Sequence, residues 1–280
     1  LDTSCGTIGT SVMRSVTPIS VCAADSPTER QKGRSKMDAI VLKNLTKRYK
    51  DVIAVDRLCL SVAQGELYSL LGVNGAGKTT TIKMLSCLVP PDDGDALLGG
   101  YSILTEPDKV KEIIGVSPQE TAVAPGLSVR ENLSLMCGIH GFSHSRESVK
   151  IRELAERLGL DGVLGKRAGK LSGGWQRRLS IAMALISEPR ILFLDEPTLG
   201  LDVLARSELW DMIRALKGSV TIVLTTHYME EAEALSDRIG VMRDGHLLTC
   251  GTTMELCALT GTDRLEDAFI TLVKGQKEVR

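Results

Sequence analysis

Eight consecutive residues, Gly72-Val73-Asn74-Gly75-Ala76-Gly77-Lys78-Thr79, match the pattern G-x-x-x-x-G-K-[ST] at every fixed place. Glycines so spaced let successive backbone N–H groups turn inward around phosphate oxygens, while Lys78 brings a cation to the β and γ phosphates and the Thr79 hydroxyl suits Mg²⁺. A helix starting at Thr79 and Thr80 would offer its positive end to the same anion. A second signal is Arg190-Ile191-Leu192-Phe193-Leu194-Asp195-Glu196, an apolar strand that delivers two carboxylates at its carboxyl end, the sheet edge where ligands bind. There Asp195 can hold Mg²⁺ through water, and Glu196, pointing elsewhere, can polarise an attacking water. Phosphoryl transfer needs a cradle, a metal and a positioned nucleophile together, and these two segments supply them. A third segment, Leu171-Ser172-Gly173-Gly174-Trp175-Gln176, opens an amphipathic helix with Leu179, Met183 and Ile186 on one face. Ser172 can cap that helix while the glycines leave its N–H groups open to an anion.

These segments need a frame to hold them. Residues 39–71 read as strands (40–42, 58–62 and 66–71), the last feeding the glycine loop and a helix over 79–87. From about 128 to 170 the periodicity turns helical, with Val149, Arg152, Leu154, Ala155 and Leu158 marking one face, as an inserted helical subdomain would. Beyond it, predicted helices (176–187, 203–217, 229–236) alternate with apolar strands (191–194, 220–224, 239–242). This alternation predicts a mainly parallel sheet covered on both faces. The fold class expected is therefore α/β, with a phosphate-loop core, an N-terminal antiparallel β part and an inserted α-helical subdomain at about 120–170.

With Leu-Ser-Gly-Gly-x-Gln standing shortly before the Asp195-Glu196 strand, the sequence resembles the ATP-binding-cassette family over residues 39–250, in the family's order and spacing. The resemblance implies that Gly72, Asn74, Gly75, Ala76, Gly77, Lys78, Thr79 and Thr80 cradle ATP, with Tyr49 stacking on adenine. It implies that Gln119 joins core to helical subdomain, senses Mg²⁺ and water beside Thr79 and Asp195, and faces a membrane partner. It makes Glu196 and His227 catalytic, His227 as the switch that hydrogen-bonds the γ-phosphate, and puts Asp202 in a loop crossing a dimer interface. Ser172, Gly173, Gly174 and Gln176 would meet the nucleotide of a second copy, or of a related cassette, packed head to tail. Trp175 and Leu199 depart from the family's commoner choices, which puts interface details rather than catalytic groups in question. The run from Thr225 to Glu233 and the ending Leu265-Glu266-Asp267-Ala268-Phe269 look like ATPase subunits of bacterial ABC-2-type exporters of drugs, antibiotics or polysaccharides. The alternatives, a non-transport cassette of translation or DNA maintenance and an importer ATPase, usually carry a second cassette, coiled-coil insertions or a longer C-terminal domain.

The chain of 280 residues has 25% charged residues and a formal net charge of −1, which does not resemble the basic footprint of a nucleic-acid binder. Its seven cysteines form no C-x-x-C pair and are read as buried thiols in a reducing compartment. No apolar run approaches the roughly 20 residues that span a bilayer, so a separate permease would supply the spans and hold this chain on the inner face of the membrane. Residues 1–36 are rich in Ser, Thr, Gly and Pro without periodicity and are read as a disordered leader or non-native extension, translation beginning at Met37. Residues 37–250 then form the nucleotide-binding domain and 251–280 a short helical extension. His140, His144 and His246 are read as surface or structural residues.

Overall fold

The computed structural model describes residues 37–275, so the expectation for residues 1–36 lies outside it. Among these residues the chain runs β1 (Asp38–Tyr49), β2 (Val52–Ala63), β3 (Leu67–Gly72), α1 (Lys78–Leu85), β4 (Asp93–Leu98), β5 (Tyr101–Ser102), α2 (Pro107–Ile113), β6 (Ile114–Ser117), α3 (Val129–Ile139), α4 (His144–Leu158), α5 (Gly173–Leu185), β7 (Ile191–Asp195), α6 (Val203–Leu216), β8 (Thr221–Thr226), α7 (Met229–Leu235), β9 (Arg238–Arg243), β10 (His246–Gly251), α8 (Thr253–Thr260) and α9 (Leu265–Gly275). Two sheets result. The first is antiparallel, in the order β2-β1-β4-β5; the second has the order β10-β9-β3-β8-β7-β6 and is parallel except at β10. The expected α/β class, with its antiparallel N-terminal part, is the observed one.

Apolar character on both faces of the central strands explains the layering. On β7, Leu192 and Leu194 join one core with residues of α3, α4, α5 and α6, while Ile191 and Phe193 join another with α1 and the antiparallel sheet. Strands buried on both faces are what a parallel sheet covered by helices requires. Helices α3 and α4 start at serine caps, Ser128 in a reciprocal capping box with Glu131 and Ser143 on Arg146 N–H.

Two expectations are corrected by the structure. The buried face of α4 is Lys150, Ile151, Leu154, Ala155 and Leu158, whereas Val149 is 65% exposed and Arg152 also faces solvent. Lys150 enters this stripe because its amine is paired, with Glu153 at 3.3 Å and Glu188 at 2.9 Å, and its aliphatic stem can lie inward. Of the described cysteines, only Cys137 is fully buried and no disulfide joins any of them. Cys59 and Cys250 are partly exposed because they lie on edge strands, β2 and β10.

β6 lies tightly on α5: a Cβ at Gly115 would come within 2.3 Å of the Ala184 carbonyl oxygen, whereas one at Gly138, near the end of α3, would meet nothing within 4 Å. Gly115→Ala should therefore cost about 1–3 kcal/mol, and Gly138→Ala should gain up to about 1 kcal/mol from helix propensity. Urea unfolding followed by circular dichroism checks both, as midpoint shifts of opposite sign at constant slope.

Candidate nucleotide site

The parallel register brings the carboxyl ends of five adjacent strands level. Ser117 of β6 pairs with Leu194 of β7, Asp195 with Thr225 of β8, Thr226 with Leu71 of β3, and Gly72 with Met242 of β9. The segments leaving these strands therefore open on one edge: Gln119 after β6, Glu196 after β7, His227 after β8, the glycine loop after β3 and Asp244 after β9. A cavity of about 640 Å³ lies there, lined by Asn74, Gly75, Ala76, Gly77, Lys78, Thr79 and Thr80 together with Gln119, Glu196, His227 and others. Its size suits a small-molecule ligand.

The loop is shaped by what presses on it. Gly77 has φ +101°, and a Cβ there would stand 2.4 Å from the Ala54 carbonyl oxygen of β2, so only glycine fits. It is also the N-cap of α1 with no side-chain cap, which leaves the helix N–H groups directed at the cavity. Behind the loop, β3 is anchored by Leu67, Tyr68, Leu70 and Leu71, each 1% exposed or less.

Three charged or ionisable groups converge at the cavity floor. Lys78 Nζ donates to the Gly72 carbonyl at 2.7 Å and the Val73 carbonyl at 3.2 Å, and lies 3.4 Å from Glu196 Oε1. The other carboxylate oxygen, Glu196 Oε2, lies 3.0 Å from His227 Nδ1. Lys78 and Glu196 are 5% and 7% exposed, a depth at which an ionised group must be paired. Glu196 also holds a left-handed φ of +46°, which costs a non-glycine residue about 1 kcal/mol or more. Its N–H holds that conformation by donating to the Thr225 carbonyl and to Thr225 Oγ1, at 3.1 and 3.0 Å. Asp195 Oδ1 accepts from Thr225 Oγ1 and, at 3.1 Å, from Thr79 Oγ1. Among the described residues no three His, Cys, Asp or Glu side chains converge as a protein-only metal cage.

The remaining expected residues fall in three places. Tyr49 is 45% exposed, with Lys47 Nζ 5.6 Å from its ring centroid; it does not line the cavity, although its strand partner Val52 does. Asp202 caps α6 by accepting from Ala205 N–H at 2.9 Å. Ser172, Gly173, Gly174 and Gln176 lie outside the cavity, with Ser172 and Gly173 exposed. The expected Ser172 cap is absent: Ser172 stands at the N-cap of α5 without any side-chain hydrogen bond to the helix. Gln176 does the local bonding instead, its amide donating to the Ala168 and Leu171 carbonyls at 3.1 and 3.2 Å and fixing the turn before α5.

Two residues of the site escaped the sequence reading. Thr225 donates to the Asp195 carboxylate and accepts from the Glu196 N–H, and its position directly across from Asp195 follows only from the β7–β8 register. Arg177 is 4% exposed and donates to the Pro118 and Gln119 carbonyls, holding the segment that carries Gln119. An arginine amid the apolar face of α5 was the available signal.

A phosphate loop, an Asp-Glu pair at the end of one strand and a histidine just after the neighbouring strand, all at one parallel edge, define a nucleoside-triphosphate hydrolase cassette. A model of the ABC transporter family matches residues 55–199. The chain is 43% identical over 235 residues to the daunorubicin/doxorubicin resistance ATP-binding protein DrrA of Streptomyces peucetius, covering 82% of this chain and 71% of that protein. It is 39% identical over 245 residues to the linearmycin resistance ATP-binding protein LnrL of Bacillus subtilis, covering 84% and 79%. A solved dimeric ATP-binding cassette in a post-hydrolysis state, bound to ADP and Pi, superposes with a TM-score of 0.69 at 27% identity, covering 76% of this chain and 98% of that one. The chain belongs to the ABC transporter family, and it is an ATP-binding and ATP-hydrolysing subunit.

Thr225→Val removes one hydroxyl of nearly equal volume, leaving Asp195 Oδ1 with one donor fewer and loosening Glu196. Stability should fall by about 1–3 kcal/mol and turnover by at least tenfold. Steady-state phosphate release, read beside nucleotide affinity, checks this; affinity should change far less than turnover.

Proposed function

We propose that two copies of this chain, or this chain and a related cassette, pack head to tail around two ATP molecules and drive a separate membrane permease in export. The observation that carries this reading is that the ATP cavity takes no lining from Ser172, Gly173 or Gly174, which stand at the start of α5 with unused N–H groups, the first two of them exposed. A second copy can bring that anion-binding helix start onto the open side of the cavity. The likeness to a cassette solved as a dimer with ADP and Pi supports the arrangement.

Within each site Lys78 and the loop N–H groups bind the β and γ phosphates, and Tyr49 stacks on adenine. Glu196 orients the water whose oxygen attacks the γ-phosphorus as the bond to the β–γ bridging oxygen breaks. His227 holds Glu196 through Nδ1 and meets the γ-phosphate with its other nitrogen. Thr79, Asp195 and Gln119 are the candidate Mg²⁺ residues. The paired Thr79 and Asp195 oxygens fit a hard cation that keeps water and phosphate in its shell, and such an ion neutralises phosphate charge when bound.

Export is supported by the resemblance to resistance proteins directed against daunorubicin, doxorubicin and linearmycin. Among the described residues no helix is long and apolar enough to cross a membrane. In this reading a separate permease supplies the spans and holds this chain peripherally on the inner face of the membrane. The docking face lies on the helical part after Gln119. Of two neighbouring charges on α3, Glu131 belongs to the capping box, so its reversal would break a helix start; Arg130 is the clean probe.

Glu196→Gln keeps size and polarity but weakens water activation. With MgATP it should accumulate as a nucleotide-trapped dimer in gel filtration while turnover falls about a hundredfold or more. Ser172→Arg should bind ATP as tightly as wild type yet neither dimerise nor hydrolyse, whereas Lys78→Ala should lose affinity as a monomer. Equal loss of affinity in both variants contradicts the composite site.

A further inference from the structure

Glu231 is fully buried at the third position of α7, four residues after His227. One of its oxygens, Oε1, accepts from the Trp210 indole N–H of α6 at 3.2 Å. The hydroxyls of Thr226, at the end of β8, and Thr198, two residues after Glu196, face the same carboxyl. Thr198 Oγ1 and Glu231 Oε2 are both buried and neither completes a hydrogen bond. Burial pushes the Glu231 carboxyl above the usual carboxylate range, against the opposing pull of these donors and of Arg206. The Thr198 hydroxyl carries a proton that can join these two oxygens. Arg206 of α6 lies over the Tyr228 ring at 4.6 Å and 3.9 Å from Glu230, and the Tyr228 ring packs 4.1 Å from that of His227.

A carboxyl taken wholly out of water is destabilising unless its hydrogen bonds offset the lost hydration, so a merely space-filling role would be served better by an apolar side chain. What those bonds do is set by the segments they join. The segment carrying His227 runs between Thr226, held by the register of β8, and Glu231. Thr198, which Glu231 faces, sits in the turn whose first carbonyl belongs to Glu196, since Leu199 N–H donates to Glu196 O at 3.2 Å.

We propose that Glu231 is a positioning residue for hydrolysis: held by Trp210 and facing Thr198 and Thr226, its carboxyl pins the His227 segment to the Glu196 segment and so keeps His227 on Glu196. The role rests on the proposed catalytic pair and deepens it. Glu231 itself touches neither water nor phosphate.

The test compares Glu231→Gln, Glu231→Ala and Trp210→Phe in the full chain, by ATP turnover, equilibrium binding of a fluorescent ATP analogue and thermal melting. Gln, able both to donate and to accept, should retain turnover within about threefold of wild type; Ala should lose about tenfold to a hundredfold with binding almost unchanged. Trp210→Phe should lower turnover in the same sense. If Glu231→Ala does not fold, Trp210→Phe decides: lowered turnover at unchanged affinity supports the role, and undiminished turnover overturns it. Affinity falling in parallel with turnover, or Gln behaving as Ala, also overturns it. A wild-type chain turning over ATP alongside an equally active Glu231→Ala overturns the role alone, whereas wild-type turnover that survives His227→Ala and Glu196→Gln overturns the catalytic pair beneath it.

Discussion

The chemistry of this cassette depends on the parallel hydrogen-bond register of β6, β7, β8, β3 and β9. A slip of one residue between β7 and β8 would turn Asp195 to the opposite face and separate it from Thr225, because side chains alternate along a strand. Burial on both sides prevents the slip. Leu192 and Leu194 are committed to the helical core, Ile191 and Phe193 to the other, and either displacement would carry two large apolar groups out of their layer. Catalytic placement is thus a by-product of core packing.

Against that rigid floor the charges are poised for exchange. Lys78 divides its contacts between two loop carbonyls and Glu196, and Glu196 in turn divides between Lys78 and His227. A phosphate entering the loop offers Lys78 a stronger anion than a shared carboxylate. Drawing Lys78 away leaves Glu196 with His227 as its partner and an oxygen available to water. In the proposed mechanism, binding and activation are two states of one small electrostatic network whose buried members, Lys78 and Glu196, make contacts worth more than in water.

The sequence was most informative where backbone geometry and chemistry coincide. The glycine loop and the Asp195-Glu196 strand end could be placed from spacing and His227 from the family resemblance, and all reach one edge. Less was legible where a residue works through tertiary contact. Strand β1 runs twelve residues although Lys43, Asn44 and Lys47 interrupt its apolar pattern, because irregular pairing with β2 absorbs them. β4, β5, β6 and α2 left no clear periodicity, and β6 is only four residues long. Lys150 hid in a buried helical face because its partner Glu188 lies far along the chain. Thr225 and Arg177 are ordinary residues until the register and the α5 packing bring them to Asp195 and to the Gln119 segment.

The same contacts explain how one protomer's exposed face can inform its own active site. From Glu196 to the start of α6 the chain is a succession of closed turns: Leu199 N–H on Glu196 O, Leu201 N–H on Thr198 O, and Asp202 capping Ala205. Such a segment transmits displacement rather than absorbing it. The start of α5 lies directly against it, since a methyl at Gly174 would reach to 3.1 Å from the Ala205 side chain and one at Gly173 to 3.4 Å from Leu201. The helix start that carries Ser172 and the proposed catalytic carboxylate, Glu196, therefore belong to one packed body joined through Leu201, Asp202 and Ala205. A partner's nucleotide seated on Ser172 would press on that body, and the strain would arrive at Glu196, the residue already held in a left-handed conformation by Thr225. Close packing of this kind shifts between discrete arrangements more readily than it deforms, which in the proposed dimer gives two nucleotides a physical means of sensing each other.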